Sequence, residues 1–107
     1  MPSYPIELTE LAGLATGVSN EYPVNNFQIV GLMVHFSTGL SAGVVSLQSA
    51  GEAGYIGEWL NNGDVGLPVV LPGANGLAVQ VIGNRVRVKV TTNLSGGTIV
   101  KAFLYLG

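Results

Sequence analysis

The chain predicts an all-β fold: a single antiparallel β-sandwich, jelly-roll-like, with an extended N-terminal arm. Three observations carry this. Sixteen glycines and five prolines break the sequence into short apolar runs, the punctuation of a sandwich or barrel. The run Arg85-Val86-Arg87-Val88-Lys89-Val90 alternates with a period of two, the spacing of a strand with one buried face. A length of 107 residues fits one domain, which at this size buries roughly two-thirds of its unfolded surface.

Residues 1–25 read as the arm. Pro2 and Pro5 open it and Asn20-Glu21-Tyr22-Pro23 interrupts it. Glu7–Leu14 reads as extended, because Gly13 and Gly17 weaken a helix. The sandwich then occupies 26–107. Its first strand is Phe27–Phe36, apolar on both faces and so central and covered. Ser37–Ser41 is a turn and Gly43–Gln48 the second strand. The loop Ser49–Gly54 leads to a short strand around Tyr55–Leu60. Asn61-Asn62-Gly63-Asp64 reads as a turn, since Asn and Gly tolerate positive φ. Val65–Leu71 is a strand closed by Pro72-Gly73, and Leu77–Ile82 is the next, ended by Gly83-Asn84. Arg85–Thr92, a Leu94-Ser95-Gly96-Gly97 turn and Thr98–Leu106 read as a closing hairpin.

Composition narrows the function. Only 9% of residues are charged, against about 25% in a typical soluble domain. A surface so poor in charge suits a subunit covered by partners, hence a homo-oligomer or assembly component. The net charge of -2 argues against nucleic acid, which needs a broad basic footprint. With no cysteine, disulfides and thiolate metal sites are excluded. Glu7 and Glu10 stand where a signal peptide is basic or apolar, and no apolar run is long enough for a membrane span. Synthesis in the cytoplasm is the expectation.

The charges are segregated. All four basic residues, Arg85, Arg87, Lys89 and Lys101, follow the last acidic one, Asp64. In the expected hairpin, Val86, Val88 and Val90 face inward with Val100, Ala102, Leu104 and Leu106. Ile99, Lys101, Phe103 and Tyr105 then share the outer face with Arg85, Arg87 and Lys89. Aromatic side chains beside arginine have the composition of an interface core. Glu7, Glu10 and Glu21 are the expected acidic partners, within one subunit or across to another.

Catalytic groups are scarce. His35 is the only histidine, sits in an apolar strand, and has no Gly-x-Ser-x-Gly elbow to serve. Glu52, Glu58 and Asp64 lack EF-hand spacing and read as solvated loop carboxylates rather than a glycosidase pair. Gly73-Ala74-Asn75-Gly76 lacks the Lys-Ser/Thr ending of a phosphate loop. Trp59 is either core or a sugar-stacking platform, and its place between Ile56 and Leu60 favours core. No enzyme, cofactor or metal is expected.

Val45-Ser46-Leu47-Gln48-Ser49, a glycine-containing loop, Trp59, the Arg-Val-Arg-Val-Lys-Val strand and the Leu-Ser-Gly-Gly-Thr turn together resemble small β-sandwich proteins of tailed bacteriophages. Those carry V-x-L-Q-x-S-x-D-G-x-x-W and R-V-x-V-T-x-L-S-G-G-T stretches. The likeness covers residues 43–107. This chain has Gly51-Glu52 where Asp-Gly would stand, and a longer loop before Trp59. The resemblance implies a capsid decoration (cement) protein on the virion surface, a homotrimer bridging subunits of the major capsid protein, with the arm gripping neighbours. An alternative is a receptor- or carbohydrate-binding domain of a tail or fibre, with Trp59, Tyr55, Glu52 and Glu58 as its site.

Overall fold

A computed structural model describes residues 5–66 and 74–106. Eight strands form two four-stranded antiparallel sheets that pack face to face. They are β1 (Pro5–Glu7), β2 (Tyr22–Pro23), β3 (Ile29–Phe36), β4 (Ala42–Ala50), β5 (Leu60–Gly66), β6 (Ala74–Gln80), β7 (Arg85–Ser95) and β8 (Ile99–Tyr105). Sheet A runs β1-β8-β3-β6 and sheet B runs β2-β7-β4-β5. The expected all-β sandwich is therefore present.

The core lies between the sheets and follows side-chain parity. Val30, Leu32 and Val34 of β3 face Val86, Val88 and Val90 of β7, with Val45, Leu47 and Leu104 among them. Burying side chains of this size stabilises by about 1.5–3 kcal/mol each. The outer face of β3 is different. Gly31, Met33 and His35 are half-buried and Ile29 is exposed, so this central strand is covered on one side only.

The largest departure from expectation is the closing hairpin, which does not exist. β7 and β8 belong to different sheets: β7 lies between β2 and β4, and β8 between β1 and β3. The connection between them crosses from sheet B to sheet A. It runs beside the β3–β4 connection, which also changes sheet. Ser41 N–H donates to Ser95 O (2.8 Å) and Ser37 N–H to Thr98 O (2.9 Å), while Thr98 N–H donates to the Ser37 hydroxyl (2.9 Å). Gly96, at φ +76°, packs so closely that a Cβ would lie 2.4 Å from Gly39 O. Glycine turn chemistry thus serves a turn-on-turn contact, not a hairpin.

The segment expected as an arm is built into the sandwich throughout its described part, residues 5–25. β1 and β2 are edge strands of the two sheets, and the chain between them crosses from one to the other. Gly13 N–H donates to Ile99 O (2.6 Å), Ile99 N–H to Leu14 O (2.9 Å) and Val90 N–H to Gly17 O (2.9 Å). A 3₁₀ turn at Thr9–Leu11 brings Leu8 and Leu11 to one side, because residues three apart eclipse in that geometry. Both are fully buried. The paired leucines make this segment a wall of the core, and they outweigh the prolines and glycines that signal an arm.

Two further expectations change. Asn61–Asp64 lies inside β5 rather than in a turn: the register skips Asn62 between Leu47↔Gly63 and Gln48↔Asn61, a β-bulge. Gly63 N–H donates to Asn61 Oδ1 (2.9 Å), so the Asx chemistry that signals a turn here shapes the bulge. Residues 51–59 form a loop in place of the expected strand at Tyr55–Leu60. Of the expected strand Val65–Leu71, residues 67–71 lie outside the described residues, as does the arm's start at 1–4.

Candidate functional site

Two outer faces carry the residues singled out by sequence. Arg85, Arg87 and Lys89 share the outer face of sheet B, as their alternation requires. There Trp59 of the loop 51–59 meets Arg87, and the outward-facing Ser46, Gln48 and Ala50 of β4 are buried. The Arg87 guanidinium lies over the Trp59 ring, 4.2 Å from its centroid. Arg87 Nε donates to Gln48 Oε1 (2.9 Å). Trp59, 7% exposed, donates its indole N–H to Tyr55 O (2.9 Å). It belongs to a satellite contact outside the main core. Burial pulls the Arg87 pKa below its ordinary value, opposed by the charge of Glu21.

The same loop is pinned at two more points. Gly54 N–H donates to Glu21 Oε1 (2.9 Å), and Asn84 Nδ2 to Gly51 O (3.1 Å). Tyr55, 40% exposed, folds over Gly57, where a Cβ would lie 2.3 Å from the tyrosine oxygen. Glu52 and Glu58 are exposed. One face of Trp59 is therefore occupied by Arg87, so the ring is no open stacking platform for a sugar.

Phe103, Tyr105 and Lys101 stand on the other outer face, that of sheet A. The expected cation–aromatic cluster is split between the two faces because β7 and β8 occupy different sheets. Ile99 is not on either one. It is fully buried, since the β3–β8 register passes from His35↔Lys101 to Phe36↔Ile99 and leaves Val100 as a bulge. That one extra residue inverts parity at the start of β8, turning Ile99 inward and leaving Val100 exposed. Nothing in the local sequence marks this bulge.

Around Phe103 the sheet A face is largely apolar. Phe103 pairs with Met33 on one side and Glu7 on the other. Its ring meets His35 edge-on, at 5.9 Å between centroids and 79° between planes. Tyr105 pairs with Gly31 and Pro5, Gly76 and Ala78 of β6 follow, and Ile29 is 57% exposed. Lys101 and Glu7 are charged groups at its margin. Of the other acids expected to face the basic stripe, Glu21 lies close enough for its charge to act on Arg87. Glu10 accepts from Asn20 N–H (2.9 Å) and the Tyr22 hydroxyl (2.9 Å). Burial works to raise the Glu10 carboxyl, but these bonds outweigh it and hold it below its ordinary value. Burial first, and then the bond to and charge of Glu10, push the Tyr22 hydroxyl up to about 12.

A polar network missed by sequence reasoning ties sheet B together. The Ser46 hydroxyl, fully buried, reaches Asp64 Oδ1 (2.6 Å) and Thr91 Oγ1 (2.7 Å). Among the described residues, no buried side-chain polar atom lacks a partner. None of their His, Asp or Glu side chains form a group of three that would hold a metal ion.

No family model matches the chain, and no curated protein or solved structure does either.

Proposed function

We propose that the protein is a virion structural subunit of the capsid decoration type, which binds an assembly surface through the outer face of sheet A. The observation that carries this is the makeup of that face. Ile29, Met33, Phe103 and Tyr105 stand together with few charges, whereas the outer face of sheet B carries Arg85, Arg87 and Lys89, with Trp59 of the loop 51–59 against Arg87. Half-buried aromatic and methionine side chains beside the exposed Ile29, with charge kept to the margin, have the composition of an interface core. The strand order supports the jelly-roll form of the sandwich. β1 pairs with β8, β2 with β7, β3 with β6 and β4 with β5, the pairings made by rolling up one long antiparallel ribbon. Three-fold association and a place on the capsid surface belong to this reading through the resemblance of residues 43–107.

The test is cosedimentation with undecorated capsids of a tailed phage whose genome encodes this chain, followed by cryo-microscopy. Saturable binding is expected, lost on Met33→Asp or Phe103→Asp with the circular dichroism spectrum kept. Capsids that bind none of the unmodified chain overturn the proposal.

A further inference from the structure

We infer that the edge of β6 over Gly76–Gln80 is a self-association site, taking the same stretch of a second copy in antiparallel pairing across a two-fold axis. The sandwich has four edge strands, and each exposes backbone groups that would template another strand. Three are defended. β1 has three residues, among them Pro5 and Glu7. β2 has two, ending in Pro23. β5 carries Asp64 and the Asn62 bulge. β6 has none of these devices: Ala74-Asn75-Gly76-Leu77-Ala78-Val79-Gln80 holds no charge and no proline. Its register with β3 also runs unbroken from Ile29↔Gln80 to His35↔Ala74. Among the described residues, no strand pairs with its outer edge.

The occupant follows from the edge itself. A two-fold contact sets each strand against its own copy, so a charged edge repels itself. A neutral one does not. With the axis through Ala78, Gly76 faces Gln80 of the second copy on the outer side, and Ala78 faces Ala78. Leu77 then faces Val79 of the copy on the core side. Small residues oppose large ones, and each sheet A extends the other into a continuous sheet. A seven-residue strand is a small contact against the roughly 800 Å² per partner of a standard interface, so the pairing is concentration-dependent. It uses the backbone edge of β6, and its test reads mass and exchange without capsids.

Ala78 is exposed, so a charge there spares the monomer. Size-exclusion chromatography with light scattering is run at high micromolar concentration on the unmodified chain, Ala78→Lys, Ala78→Glu and their equimolar mixture. Each variant is expected at half the mass of the unmodified chain, and the mixture at the full mass, because unlike charges then face across the axis. Equal masses for the unmodified chain and both variants, or a mixture that stays at half mass, overturn the inference. Amide hydrogen exchange of the unmodified chain checks it without substitution: protection across Gly76–Gln80 should rise with concentration. Protection that is flat with concentration overturns it.

Discussion

Replacing Arg87 by alanine tests the outer face of sheet B. The guanidinium sits 4.2 Å from the Trp59 ring centroid. A stacked cation of this kind contributes about 0.5–1 kcal/mol when exposed and about 2 when desolvated. Arg87 is half-buried, which places the stack near 1 kcal/mol on that scale. Its Nε also satisfies Gln48 Oε1 at 2.9 Å, and Gln48 is itself buried. Orphaning a buried acceptor costs about 1–3 kcal/mol, with the low end fitting a site that water enters once the side chain is gone. Arg87→Ala should therefore destabilise by about 2–3 kcal/mol, a large share of the roughly 5–15 kcal/mol of a small domain. Trp59 is the only tryptophan, so denaturant unfolding followed by its fluorescence reads the stability. Its emission should move to longer wavelength in the native variant as the ring meets water. Arg87→Lys keeps the charge but loses the planar fork and stack, and should fall between. A change below about 0.5 kcal/mol, typical of an ordinary surface site, together with unmoved native emission, would refute the stacking argument.

Ser19 carries a second prediction: its hydroxyl accepts from the buried Val88 N–H (2.8 Å), so Ser19→Ala should cost about 1–3 kcal/mol in denaturant unfolding. A variant as stable as the parent would show that this seam does not hold the N-terminal segment. The third concerns pH. The Tyr22 hydroxyl is raised from 10.0 to about 12, so its contribution is intact below pH 10 and is lost as pH rises through about 12. Glu10 is held below 4.5, so its contribution is present above that value and fades as pH falls through the lower folded one. Glu10→Gln should return the most shifted tyrosine toward 10.0 in a tyrosinate absorbance titration, and an unmoved titration would count against the pairing.

Fold class and inward parity were legible because they depend on local pattern. Val86, Val88 and Val90 alternate, and they face the core as their spacing requires. Sheet membership was not legible. Arg85–Leu106 has the turn residues of a hairpin, yet the crossing to the other sheet depends on Ser37 and Ser41, more than fifty residues away in sequence, which bond the turn. The role of Leu8 and Leu11 was obscured by neighbouring glycines and prolines. The fate of Ile99 turned on one bulged residue, Val100. Of the candidate site, Arg87 and Trp59 were each singled out, but their stacking needed the loop 51–59 to bring Trp59 to Arg87, which no period in the sequence encodes.

The segregation of charge along the chain takes on a different meaning in three dimensions. A basic stripe in sequence invites a search for an acidic partner, but Arg87 is engaged within its own subunit, over Trp59 and near Glu21. Arg85 donates to its neighbour Asn84 O (2.9 Å). Arg87 thus helps fasten the loop 51–59 through Trp59. Among the described residues, no comparable stack of a cation on a loop tryptophan lies on sheet A. Its outer face keeps Phe103, Tyr105, Met33 and Ile29 among few charges, and its far edge, β6, has none. The low charge of the chain is most marked on the face and edge of sheet A, where Phe103, Tyr105, Met33, Ile29 and the uncharged β6 lie side by side.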